Sequence, residues 1–214
     1  MDIAFDIEKT TLEYLGVSEN SKIRHILQFF KNYPEIIKIE YSSMANPYHI
    51  ITYLASNLDL DRPKDLRNRF IVGFLFWTGV RINELLKTRK WDLDLISRTY
   101  NVPTLKQRSN RTAYRPIPLT HVPTVELKIW SKYLDSVDGP IVNISDRQME
   151  RIIKKILGPF FYPHMLRHGL GLFLYEYTKD IRIVAQILRH RNIANTLIYT
   201  RLSLEAIREK LELE

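Results

Sequence analysis

The 214-residue chain contains no cysteine. That excludes disulfides and thiolate metal sites, and it fits an intracellular location. No apolar run approaches the roughly 20 residues of a membrane-spanning helix. The opening MDIAFDIEKT is acidic and does not read as a signal peptide. Internal repeats and low-complexity tracts are missing, and so is the H-E-x-x-H pattern of a zinc hydrolase. Acidic residues are outnumbered, 24 against 32 lysines and arginines, for a net charge of +8. A basic balance of that size points to a polyanion partner. The length suits one ordinary domain with a small appendage, and hydrophobic residues, at 45% of the chain, allow a sizeable core.

Residues 1–43 read as two or three short helices. Leu12, Leu15 and Val17 give one small apolar patch, and Ile23, Ile26, Leu27, Phe29 and Phe30 give a broader one. This is too little for a robust domain; the segment is either a cap on the main body or a reduced arm that would clamp the polyanion partner. The loop from Ser42 to Pro47 marks the boundary, and residues 44–214 form the main domain. A helix is expected from about Pro47 to Asn57, and an apolar one from about Lys64 to Trp77 that buries Phe70, Ile71, Phe74, Leu75 and Trp77. Thr78 and Gly79 turn the chain into a helix in which Ile82, Leu85 and Leu86 face inward. Arg81 and Glu84 stand three apart there, the spacing of an ordinary surface ion pair.

SRTYNVPTL and TAYRPIPL read as two strands around the polar turn KQRSNR, with the prolines marking edge strands. An amphipathic helix within His121–Leu134 should bury Val125, Ile129, Trp130 and Leu134. Ser145 can cap a helix from Asp146 to Leu157, whose Arg147, Arg151, Lys154 and Lys155 make a basic surface. That surface either touches the backbone of a polyanion partner or is simply solvated.

The most informative stretch runs from His164 to Tyr199. His164 and Arg167 share one helical face, with His168 and Gly171 close by. Leu166, Leu170, Phe173, Leu174 and Tyr177 form the opposite, core-facing side. A mid-helix glycine costs about 1 kcal/mol against alanine, so something should pack close to Gly171. Asp180 can cap the next helix, in which Ile183, Val184, Ile187 and Leu188 make the buried stripe. Tyr199 follows His190 by nine residues. An arginine, two histidines and a tyrosine suit phosphodiester chemistry. Arginine forks onto non-bridging oxygens, histidine donates or moves a proton, and tyrosine is a competent nucleophile.

HMLRH followed by ILRHRNIANTLIYTRL resembles the tyrosine recombinases, or phage-type integrases, whose pattern is H-x-x-R, then L-G-H, then a tyrosine nine residues on. Arg189 departs from that pattern, standing where the family usually has glycine. TGVRINEL, upstream, resembles the family's first catalytic-arginine motif. The resemblance covers roughly residues 45–200. It implies a mainly α fold with a small antiparallel β-sheet near residues 96–119. It also implies catalytic roles for Arg81, Lys106, His164, Arg167, His190 and the nucleophile Tyr199. Lys106 is the only lysine between Lys90 and Lys128 and so the one candidate for the family's hairpin lysine. Glu84 would hold an arginine or histidine in place. His168 would be structural, bonding a backbone carbonyl. Arg108, Arg111 and Arg115 would contact DNA phosphates.

The activity so implied is site-specific recombination or integration through a 3′-phosphotyrosyl intermediate, with no metal, ATP or other cofactor. His164 would accept or relay the tyrosine proton, and Lys106 would protonate the leaving 5′ oxygen. The partner would be double-stranded DNA, with a homo-tetramer on paired sites and a monomer allowed when free. SLEAIREKLELE, with Leu204, Ile207 and Leu211 on one side, would pack on its own domain or a neighbouring protomer. Two further readings stay open: a DNA-relaxing enzyme similar to type IB topoisomerases, and a DNA-binding accessory protein with a degenerate site.

Overall fold

The computed structural model describes residues 47–56, 60–105 and 112–200. The expected helices over 1–43 and the C-terminal helix lie outside those residues. Seven α-helices and one three-stranded antiparallel sheet are seen among the described residues: α1 (Pro47–Ala55), α2 (Pro63–Thr78), α3 (Ile82–Leu85), β1 (Leu93–Asp94), β2 (Thr99–Leu105), β3 (Thr112–Pro118), α4 (Thr124–Asp135), α5 (Asp146–Leu157), α6 (Pro163–Thr178) and α7 (Ile181–Leu188). Short 3-10 segments cover Lys90–Asp92 and Ile193–Thr200.

Helix α2 is the centre of the core. Proline in its first turn pre-sets the backbone, and Gly79 ends it in the left-handed conformation at φ 58°, with its N–H bonded to Leu75 O. Every side chain from Phe70 to Trp77 is buried, so the C-terminal half of α2 is apolar all round, and the helix packs between α4 and α6. Phe70 stacks on Tyr133 at 4.3 Å between centroids, and Phe74 meets the edge of Tyr100 on β2. Trp77 stands perpendicular to Phe173 on α6 at 5.4 Å. Each ring fully withdrawn from water contributes about 1.5–3 kcal/mol, which fixes α6 against α2.

One buried ion pair crosses this core. Arg69 donates to Glu126 at 2.8 and 2.5 Å and to Leu54 O at 2.8 Å, while Trp130 Nε1 donates to Glu126 at 2.7 Å. A Cβ on Gly73 would stand 2.0 Å from Glu126 Oε1, so only glycine lets the carboxylate this close to α2. Removing either charged partner would strand the other in the core, at a cost of about 3–5 kcal/mol.

The strand register pairs Thr99 with Pro118 and Tyr100 with Ile117. β1, not foreseen in the sequence, pairs with β2 only at Leu93 and Asp94, which makes β2 the central strand. Pro103 lies beyond that short pairing, so its missing N–H costs no ladder bond to β1. Three apolar residues assigned to the core are exposed instead: Val125, Tyr177 and Ile183. Each sits at the margin of its helix's apolar sector. Leu127 and Tyr133 are buried on α4, and Val184, Ile187 and Leu188 carry the α7 contact. Ile82, Leu86 and Ile129 are only partly buried. Ser145 and Asp180 cap α5 and α7 as expected, accepting from Gln148 N and Arg182 N.

Candidate active site

Arg81 begins α3, and Glu84 accepts its backbone N–H at 2.8 Å. The Arg81 guanidinium keeps one longer contact to Glu84, 3.3 Å, and its side chain is half exposed. The same carboxylate holds a second arginine, since Arg189 Nη2 donates to Glu84 Oε2 at 3.0 Å. Glu84 therefore bonds two arginine side chains at once.

Arg189 caps α7. Its φ of 57° lies in the left-handed region, its N–H bonds Gln186 O, and the His190 N–H bonds Ala185 O. This is the Schellman arrangement, with arginine in the glycine position at a cost of about 1 kcal/mol. The turn geometry expected of L-G-H is thus kept without glycine. His190 follows immediately, and its Nδ1 bonds the buried Thr196 hydroxyl at 2.8 Å. That bond fixes the ring and leaves Nε2 as its other polar atom. Arg81, Glu84, Arg189 and His190 line a cavity of about 700 Å³ together with Arg115 and Tyr114 from β3. Arg191, Asn195 and Asn83 also reach it.

Arg167 lies buried on α6. Its guanidinium donates to Gly79 O and Leu188 O, so it ties the end of α2 to the end of α7. Burial pulls its pKa down to about 9, helped by Arg189 and Arg81, and it stays charged at neutral pH. Burial and the arginine charges hold His190 at about 4, so the ring is neutral in the free protein. The same two causes lower His164.

Tyr199 sits elsewhere. Its ring lies on Gly171, where a Cβ would stand 2.4 Å from Cζ, and the residue is 2% exposed. The close neighbour expected at Gly171 is therefore the tyrosine itself. The phenol oxygen is 2.8 Å from His168 Nδ1. This corrects the expectation of a backbone carbonyl for His168, which helical spacing could not have shown because its partner lies 31 residues along the chain. His164 meets His168 edge to face at 5.0 Å between centroids. His168 is held at about 4 by burial and by its neighbours His164 and Arg167. Burial lifts Tyr199 to about 12, against a smaller opposing pull from Arg167. A neutral His168 can accept the phenol proton.

Of the residues expected to act, Arg81, His190 and Arg115 share the cavity, while Tyr199, His168 and His164 form a second group with Arg167 alongside. Lys106, Arg108 and Arg111 lie outside the described residues. Sequence reasoning passed over Arg189 and Thr196. The departure from glycine at 189 was the one signal available.

The phage integrase family matches residues 49–205. The chain belongs to the phage integrase family. Tyrosine recombinase XerA of Pyrococcus furiosus is 30% identical over 164 residues, 70% of this chain and 56% of that protein. Tyrosine recombinase XerC of Bacillus pumilus is 29% identical over 169 residues, 71% of this chain and 54% of that one. The chain spans about half the length of these curated relatives. The crystal structure of XerA recombinase superposes with a TM-score of 0.54 at 25% identity, covering 97% of this chain and 89% of that chain. XerH recombinase, in a pre-cleavage complex with its difH substrate, superposes with a TM-score of 0.57 at 18% identity, covering 78% and 53%. The mainly helical fold with its small antiparallel sheet is that of the integrase catalytic domain.

Proposed function

We propose that this integrase-family chain cuts and rejoins double-stranded DNA at specific sites through a 3′-phosphotyrosyl intermediate. The observation that carries the reading is the convergence of Arg81, Arg189 and His190 on one open cavity, with the buried Arg167 and Tyr199 behind it. In this reading Arg81, Arg167 and His190 hold the scissile phosphate and neutralise its developing charge. Tyr199 Oη bonds to phosphorus as the bond to the 5′ oxygen breaks. The phenol proton passes to His168 Nδ1, with His164 as the relay beyond it, and Lys106 supplies a proton to the departing oxygen. Glu84 orients Arg81. Arg108, Arg111 and Arg115 contact flanking phosphates. The exposed Arg147, Arg151, Lys154 and Lys155 of α5 offer a further basic face to the duplex.

Because the phosphotyrosine bond conserves the energy of the bond it replaces, the proposed reaction uses neither ATP nor a metal. The domain assignment, with residues 44–214 catalytic and 1–43 a cap or short clamp, is part of the same proposal. So are an intracellular location, a tetramer on paired sites and a monomer when free.

The test is cleavage of a nicked suicide substrate carrying a candidate recombination site, with chelator present. Wild type should form a covalent protein–DNA adduct, and Tyr199→Phe should form none while binding the duplex equally well. Equal adduct from both proteins would remove Tyr199 as the nucleophile.

A further inference from the structure

Arg189 lines the cavity but is given no step in the chemistry just proposed, and its side chain is tightly constrained. Its backbone occupies a conformation that favours glycine. Its guanidinium is buried, donating to Ile187 O at 3.0 Å and to Glu84 Oε2 at 3.0 Å. Its Nε is buried without a partner. A surface arginine would make none of these sacrifices.

The consequence lies in how Glu84 is shared. Its Oε2 serves Arg189 and the Arg81 backbone N–H. Only Oε1 is left for the Arg81 guanidinium, through the single 3.3 Å contact. A carboxylate with one arginine available closes on it with two parallel bonds. With glycine at 189, Arg81 would be the guanidinium left to Glu84. Clamped in that way, Arg81 would present fewer donors, and a smaller net positive charge, to an anion in the cavity.

We propose that Arg189 is a positioning residue: by occupying Glu84 it keeps the Arg81 fork free for the scissile phosphate. This rests on reading the cavity as a phosphate site. The chain thereby places a second arginine on the carboxylate that holds Arg81, at a position its family usually leaves to glycine.

The test uses the full chain and inorganic phosphate as the probe, followed through the side-chain NMR signals of Arg81. The proteins are wild type, Arg189→Gly, Arg189→Lys and Arg189→Gly/Glu84→Gln. Glycine suits φ 57°, so Arg189→Gly should keep its fold. In wild type the Arg81 Nη signals should be averaged by rotation, whereas Arg189→Gly should show them separately, as a bidentate clamp requires. Phosphate affinity should fall about tenfold in Arg189→Gly, recover in part with lysine, and return with Glu84→Gln, which keeps an acceptor for the Arg81 N–H but loses the charge. Adduct formation on the suicide substrate should follow the same order while duplex affinity stays level.

Unchanged phosphate affinity in Arg189→Gly would overturn the proposal, whether or not the protein cuts DNA. So would a fall in affinity with the Arg81 signals unchanged, since that is loss of charge without repositioning. A defect deepened by Glu84→Gln would overturn it as well. If the phosphate and NMR results hold but wild type forms no adduct, the role of Arg189 stands and the strand-transfer reading fails.

Discussion

The site has two halves built on opposite principles. The cavity half is open, cationic and assembled from chain ends: the start of α3, the β3 edge and the cap of α7. The Tyr199 half is dry, seated on a glycine of α6 and closed to solvent. In the first half, surplus arginines wait for an anion to balance them. In the second, burial raises the phenol to about 12 and suppresses the reactive form. If the proposed roles hold, the contrast teaches that a phosphate seat can be ready before substrate arrives while the nucleophile is held back in the interior. Arg167 belongs to both halves, bonding to Gly79 O and Leu188 O and lowering His190 and Tyr199 alike.

Arg167→Ala should break the contrast most severely. It removes two buried bonds and the charge common to both halves. Stability should drop by about 3 kcal/mol in thermal melts, and adduct formation by about a hundredfold or more. Arg167→Lys should recover only part, because one ammonium cannot span the two carbonyls as a fork does. An unchanged melting temperature would show that the bonds do not tie the helices.

Gly171→Ala attacks the dry half alone. The added methyl would stand 2.4 Å from Tyr199 Cζ, so the ring must leave its seat. The expected cost is about 1–3 kcal/mol. Tyr199 should then titrate nearer 10, read from its carbon-labelled ring by NMR. A value still near 12 would place the cause of the shift elsewhere.

The two halves should also share a dependence on pH. His168 and His190 both titrate at about 4 in the folded chain, below the ordinary 6.5. The unfolded chain therefore takes up their protons first. The stability they protect is complete above about pH 6.5 and is lost as pH falls toward 4. Both rings are partly exposed, so the effect is a few degrees in melting temperature between pH 7.5 and 4.5. His168→Asn should flatten part of that slope, and an unaltered slope would assign it to the carboxylates. The smallest effect belongs to Asp180→Ala, which uncaps α7 for about 1 kcal/mol and should leave phosphate binding alone.

Much of this was readable beforehand because it repeats at helical spacing. The apolar run of α2, the caps at Ser145 and Asp180 and the shared face of His164 and Arg167 are all local patterns. The close approach at Gly171 was legible as a penalty in need of a reason. What escaped is non-local or angular. Nothing in the helices that carry Arg69 and Glu126 indicates that each is the other's buried partner. Val125, Tyr177 and Ile183 are apolar, but a few degrees of helix rotation decide whether such margins face in or out. The bond from His168 to Tyr199 depends on how the 3-10 segment folds back over α6.

The seat on Gly171 makes Tyr199 a piece of the interior as well as the proposed nucleophile. In the proposed reaction the ring would leave to join DNA, taking an aromatic volume out of the packing and leaving a hole that faces a residue with no side chain to fill it. A lost ring of that size weakens a core by about 3–5 kcal/mol. The proposed covalent intermediate would then be a softer protein than the resting one, and amide exchange along α6 should quicken in the adduct. Religation would put the ring back, so restoring the protein's own packing would favour completing the cycle.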